Sequence, residues 1–140
     1  MIDSSALLEI NTINILHNYK NLSRIANKSI TGATIKANAY GLGDLEVFNI
    51  LYNNGCRHFF VATIDEALNL RKKYKKSNIY ILNGVDKSQI KLTQQKNIIP
   101  IINSLDELRN LNKEFANLKH KIKVGIHIDS GINRLGIKIN

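Results

Sequence analysis

Five short apolar runs, at residues 33–37, 58–62, 78–82, 98–102 and 123–128, are each separated by a longer stretch whose apolar residues recur at helical spacing. This is the pattern of βα units, in which each strand is followed by a helix that packs back on a parallel sheet. The helix starts are chemically marked. Thr63-Ile64-Asp65-Glu66 and Ser104-Leu105-Asp106-Glu107 both fit a capping box, where a hydroxyl and a glutamate satisfy amides that the first helical turn leaves unpaired. From Asp44 onward, Leu45, Phe48, Leu51 and Tyr52 fall on one helical face, and Asn53-Asn54-Gly55 supplies the stop. Ahead of the first run, alternation over residues 7–10 predicts an extra strand, and Ile15, Tyr19, Leu22 and Ala26 predict a helix from Thr12. Five such units have two common solutions: an open doubly wound sheet, or the first part of a (β/α)8 barrel, which usually takes roughly 250 residues. The 140 residues suit a single domain and fit the open sheet better, but the pattern of runs does not choose.

Bulk properties exclude more than they assign. An apolar fraction of 44% with 22% charged residues belongs to a chain that folds. No apolar run reaches the ~18 residues of a membrane span, and residues 1–8 lack the basic and apolar series of a signal peptide, so a cytoplasmic protein with no membrane partner is expected. The single cysteine, Cys56, excludes an internal disulfide and a cysteine-rich zinc site, and fits core packing. The net charge of +9 brings nucleic-acid binding into consideration. Its lysines cluster only at residues 71–76 and 119–123, with Tyr74 the one aromatic among them, so a solvated face is the better reading and no nucleic-acid partner is expected.

Two segments carry chemistry. In Thr34-Ile35-Lys36-Ala37-Asn38-Ala39-Tyr40-Gly41-Leu42-Gly43 a lysine interrupts an apolar strand near its carboxyl end, and a tyrosine follows four residues on. Barrels gather functional groups at that end of their strands. A lysine in partly apolar surroundings has a larger share of neutral amine, the form that attacks a carbonyl to make a Schiff base. The bland reading is a lysine snorkelling from the strand end into water. Gly41-Leu42-Gly43 is too short for a dinucleotide fingerprint, and turn geometry explains it equally well. The second segment, from Val124 to Gly136, again runs from a strand into a polar, glycine-containing loop and carries His127, Asp129 and Arg134. Arginine can hold a carboxylate through two parallel hydrogen bonds, while a surface ion pair or a loop-structuring aspartate is the plainer alternative.

Together these segments resemble alanine racemase. That family carries Lys-Ala-Asn-Ala-Tyr-Gly-His-Gly near its amino terminus and Asp-Thr-Gly-Met-x-Arg-x-Gly on a later strand, matched here by Lys36 to Gly43 and Asp129 to Gly136. Val61-Ala62-Thr63 and Glu66-Ala67 also look like the family, so the resemblance covers essentially the whole chain. It implies an α/β fold, a partial (β/α)8 barrel of about five parallel strands from the family's amino-terminal domain, with residues 1–140 as part of that domain and its carboxyl-terminal β domain absent. It implies pyridoxal 5'-phosphate as cofactor, held by Lys36, which would also move a proton on one face of the substrate α-carbon. Tyr40 would hydrogen-bond the cofactor phosphate, and Arg134 would position the substrate carboxylate. The implied activity is interconversion of L- and D-alanine, supplying D-alanine for peptidoglycan.

Two departures bear on the transfer of function: Leu42 replaces the histidine between the glycines, and His127 stands where many members have a lysine that can be carbamylated. The family's second catalytic group is a tyrosine from the carboxyl-terminal domain of the partner subunit. A fragment or split chain is therefore expected, working as a homodimer when full length or with a complementing carboxyl-terminal chain. A catalytically inactive cofactor-binding or structural remnant is the alternative. His17, His58 and His120 show no metal-ligand spacing and receive no role.

Overall fold

The computed structural model, which describes residues 6–116 and 122–138, contains a sheet of five parallel strands lying in chain order. These are β1 (Ala33–Thr34), β2 (His58–Val61), β3 (Asn78–Ile81), β4 (Ile99–Ile102) and β5 (Gly125–Ile126). A doubly wound sheet would carry a later strand to the far side of β1. No such switch occurs among the described residues, and the order is that of a partial (β/α)8 barrel. The helical segments are α1 (Thr12–Ala26), α2 (Lys36–Tyr40), α3 (Asp44–Asn53), α4 (Ile64–Lys73), α5 (Lys87–Gln95) and α6 (Leu105–Phe115). After β5, a short parallel pair forms between β6 (Ile128–Asp129) and β7 (Ile137–Lys138).

The strand pleat sorts side chains onto two faces. Phe59, Val61, Ile79 and Ile81 are buried in the core with Phe48, Leu51, Ala67 and Leu70 of α3 and α4. Phe48 stacks on Phe59 and Tyr74 with ring centroids 3.8 and 3.9 Å apart. Cys56 is buried in this core, as its residue type suggested. Alternating with these residues, His58, Phe60 and Tyr80 are only half-buried, on the opposite face of the sheet. Tyr80 stacks on Phe60 at 4.6 Å and its hydroxyl meets His58 Nδ1 at 2.9 Å, so His58 has a structural partner.

Arg71, at the end of α4, acts as a backbone clamp. Its Nη1 donates to the carbonyls of Tyr74 and Lys75 at 2.8 and 3.0 Å, and its Nη2 to those of Ser77 and Asn97 at 2.9 and 2.8 Å. The segments leading into β3 and β4 are thereby tied to one side chain.

Several expectations need correction. Residues 7–10 form no strand, because no described neighbour pairs with them, and Leu7 and Leu8 are exposed. In α1 Ile15 and Tyr19 pack on the core as expected, but Leu22 is exposed. The first strand stops at Thr34, so Lys36 lies beyond it rather than within it. The run at 123–128 is divided, because His127 receives the last rung of β4 through the Ile102 carbonyl at 2.9 Å while its own carbonyl accepts from Ile137 at 2.8 Å. The Thr63–Glu66 capping box forms as expected. At α6 the Ser104 hydroxyl accepts from the Glu107 amide at 3.1 Å, but the Glu107 carboxylate accepts from Asn103 at 2.7 Å, one residue before the cap. Residues 119–121 of the second lysine cluster, with His120, lie outside the described residues.

Candidate active site

Immediately after β1 the backbone enters a single left-handed turn. Ala37, Asn38, Ala39 and Tyr40 have φ values of 52°, 54°, 52° and 57°. For residues with a Cβ this geometry costs roughly 1–2 kcal/mol each, so the turn is held by its surroundings rather than by local preference. Ala39 is only 3% exposed and packs in the main core. The Ala39 amide donates to Ile35 O at 3.0 Å, and Gly43 donates to Asn38 O at 3.0 Å. Asn38 Oδ1 accepts from the Asp44 amide, also at 3.0 Å, and so joins the turn to the start of α3. Gly41, at φ 89°, ends it in a conformation that glycine alone adopts without strain.

Lys36 is half-buried at the mouth of this turn, and Tyr40, one helical turn further on, is 64% exposed. Neither side chain has a hydrogen-bond or ion-pair partner among the described residues. The Ala37 amide, next to Lys36, donates to Glu66 Oε1 at 2.8 Å.

On the second segment Asp129 organises the loop. Its Oδ1 accepts from the amides of Asn133 at 3.0 Å and Gly131 at 3.1 Å, and these bonds, Asn133 first, hold its carboxyl below the usual carboxylate range. The plainer reading of this aspartate, as a loop-structuring group, describes its contacts. Gly136 follows at φ 110°, where an added Cβ would come within 2.8 Å of the Asp129 amide nitrogen, so the loop closes only with glycine there. Arg134 is exposed between them, with no ion pair among the described residues.

His127 is held by Asn103, which is 6% exposed. Asn103 Nδ2 donates to Leu82 O at 2.9 Å and Ile101 O at 3.3 Å, leaving its Oδ1 to face His127 Nδ1 at 2.8 Å. That oxygen can only accept, so His127 Nδ1 donates to it.

Because β1 and β5 run parallel, the turn at residues 36–40 and the loop at residues 129–136 leave the same, carboxyl, rim of the sheet. Lys36 and Tyr40 belong to one turn, whereas Arg134 reaches the rim from beyond β5, four strands further along. Barrels place their chemistry at this rim. Sequence reasoning missed Asn103 and the second bond of Glu66. The Ser104 cap was legible, but nothing local says that the residue before it turns into the rim. Among the described residues no group of three or more His, Cys, Asp or Glu could hold a metal ion.

Residues 10–140 match the family model described as "Alanine racemase, N-terminal domain". The alanine racemase of Rickettsia akari is 40% identical over 136 residues, covering 96% of this chain and 38% of that protein. Among solved structures, alanine racemase from Bartonella henselae with covalently bound pyridoxal phosphate superposes with a TM-score of 0.86 at 34% identity, over 91% of this chain and 38% of that one. A histidine racemase from Leuconostoc mesenteroides gives a TM-score of 0.85 at 27% identity, over 99% of this chain and 37% of that one. The chain thus spans a little over a third of the length of such relatives.

Proposed function

Since the chain belongs to the alanine racemase family, we propose that it works in the interconversion of L- and D-alanine, with Lys36 holding pyridoxal 5'-phosphate. The observation that carries this reading is the position of Lys36, half-buried and unpaired among the described residues, on a strained turn at the carboxyl rim of a family-type sheet. The residues fit such a cofactor. An amine with no ion-pair partner among the described residues is available to an aldehyde, and the exposed phenol of Tyr40 can donate to a phosphate from the same turn. When bound, the cofactor would spread the charge left on the substrate α-carbon once its proton has gone.

The chain's own groups divide the remaining work. Lys36 Nζ would take or return the α-proton on one face, and Arg134 would clamp the substrate carboxylate through its planar fork. Racemisation also needs a group on the opposite face, and none of the residues assigned here supplies it. We therefore read residues 1–140 as part of the barrel domain of a working unit completed by further chain or by a partner, in a dimer or in a complemented pair. The setting that fits is the bacterial cytoplasm, with D-alanine made for peptidoglycan.

The test is to treat the chain with pyridoxal 5'-phosphate, reduce with borohydride and map the labelled residue by mass spectrometry against a Lys36→Ala control. Racemisation of L-alanine is followed with and without a carboxyl-terminal alanine racemase chain, with L-histidine as a second substrate. Labelling at Lys36 and alanine turnover that depends on the added chain are expected. Labelling that ignores Lys36 overturns the cofactor assignment. Labelling without turnover in any combination favours a cofactor-binding remnant.

A further inference from the structure

The carboxylate of Glu66 sits where three backbone amides meet, and its own helix accounts for only part of that arrangement. Glu66 Oε2 accepts from Ala62 at 2.7 Å and from Thr63 at 3.2 Å, which closes the start of α4. Glu66 Oε1 faces the other way and accepts from Ala37 at 2.8 Å, 29 residues earlier and adjacent to Lys36. We propose that Glu66 is a positioning residue for the lysine: its second oxygen pins the left-handed turn, and through it Lys36 and Tyr40, to the end of β2. The proposal rests on the reading of Lys36 as the cofactor lysine.

Physical reasons single out a carboxylate. Four consecutive residues with a Cβ hold left-handed geometry, a conformation that persists only where its surroundings over-determine it. The amide that opens such a turn is the natural place for an anchor, and a charged acceptor makes shorter and stronger bonds than a neutral one. Only a side chain with two acceptor oxygens can bind the amides that follow β2 and that of the turn at once. Glutamine has one acceptor, and its amide group would set donor against donor on the other side.

The chain contains its own control. Glu107 occupies the equivalent place at α6, where its Oε2 accepts from Asn103 at 2.7 Å and its amide donates to Ser104 Oγ at 3.1 Å. Among the described residues it hydrogen-bonds no amide of a neighbouring strand's loop. Glu66→Gln and Glu107→Gln both damage a helix start, but only the first releases Ala37.

The experiment compares both variants with the unaltered chain, well below their unfolding midpoints. One readout is hydrogen exchange by mass spectrometry in peptides covering residues 35–43. The other is trapping at Lys36 by pyridoxal 5'-phosphate relative to pyridoxal, which lacks the phosphate. Glu66→Gln is expected to speed exchange at the Ala37 amide by on the order of tenfold, the loss of one hydrogen bond. It is also expected to abolish the preference for the phosphorylated aldehyde, while Glu107→Gln leaves both unchanged. If Glu66→Gln alone does not fold, the double variant with Ala37→Gly, which removes the left-handed penalty at the same residue, carries the measurement. Equal exchange and equal preference in the two glutamine variants overturn the proposal. Faster exchange in Glu66→Gln without Lys36 labelling in any chain would sink the cofactor reading while leaving the tie between Glu66 and the turn in place.

Discussion

Replacing Ala37 by glycine is expected to stabilise this chain, while the same exchange at Ala67 is expected to destabilise it. Ala37 is exposed with φ at 52°, so removing its Cβ relieves about 1–2 kcal/mol of left-handed strain and uncovers no core. Against that, glycine gives the unfolded chain extra freedom worth roughly 0.4–1 kcal/mol. The difference is a net gain of about 0.5–1 kcal/mol. Ala67 is fully buried in the right-handed helix α4. There glycine loses about 1 kcal/mol of helix preference and about 0.8 kcal/mol of buried methyl. The two variants should therefore differ by roughly 2–3 kcal/mol, with opposite signs relative to the parent. Guanidinium unfolding followed by circular dichroism resolves such a gap, provided the slope with denaturant is unchanged. A loss of stability in Ala37→Gly similar to that in Ala67→Gly would mean that Ala37 is not left-handed, and the account of the turn would fall with it.

Two further outcomes follow from other contacts. Removing the four carbonyl contacts of Arg71 in Arg71→Ala is expected to cost about 3–5 kcal/mol, a large share of an ordinary domain's stability. Arg71→Lys should recover less than half of it, since an ammonium cannot span the fork; guanidinium midpoints check both, and a loss under about 1 kcal/mol in Arg71→Ala refutes the clamp. For Asp129 the sign runs with pH. Its carboxyl is held below the unfolded value of about 3.9 by the Asn133 and Gly131 amides, so its contribution is full above that pH and is lost as pH falls through the lower folded value. Asp129→Asn should flatten the fall in stability on acidification below about pH 4, and an unchanged pH profile would count against this role.

The strands were legible in the sequence because apolar runs and polar breaks follow the demands of a covered sheet. Val61 and Ile81 are buried and the runs containing them are found where they were expected. The choice between barrel and open sheet was not legible in the runs, since strand order depends on which side each crossover takes, and no single run encodes that. The failure at residues 7–10 has a similar origin. Alternation describes what a strand needs, but backbone amides and carbonyls become a strand only when another strand meets them. Leu22 shows the limit of the helical stripe: a turn can have the right spacing and still face beyond the sheet that its neighbours cover.

The site divides along the same line. Lys36 and Tyr40 could be singled out because a lysine interrupting an apolar run is chemically conspicuous, and Asp129 and Arg134 because a strand-like run leads into the polar, glycine-containing loop that carries them. The geometry joining the first two residues was hidden. Ala-Asn-Ala-Tyr contains no glycine, and alanine is a strong right-handed helix former, so local preference opposes the observed turn. The turn is decided instead by distant groups: the Glu66 oxygen, the core that takes Ala39, and the Asp44 amide that Asn38 accepts. Local rules that fail while tertiary bonds succeed are characteristic of functional segments. Here the failure falls on the four residues that follow Lys36, so the chain accepts strain beside the residue proposed to hold the cofactor.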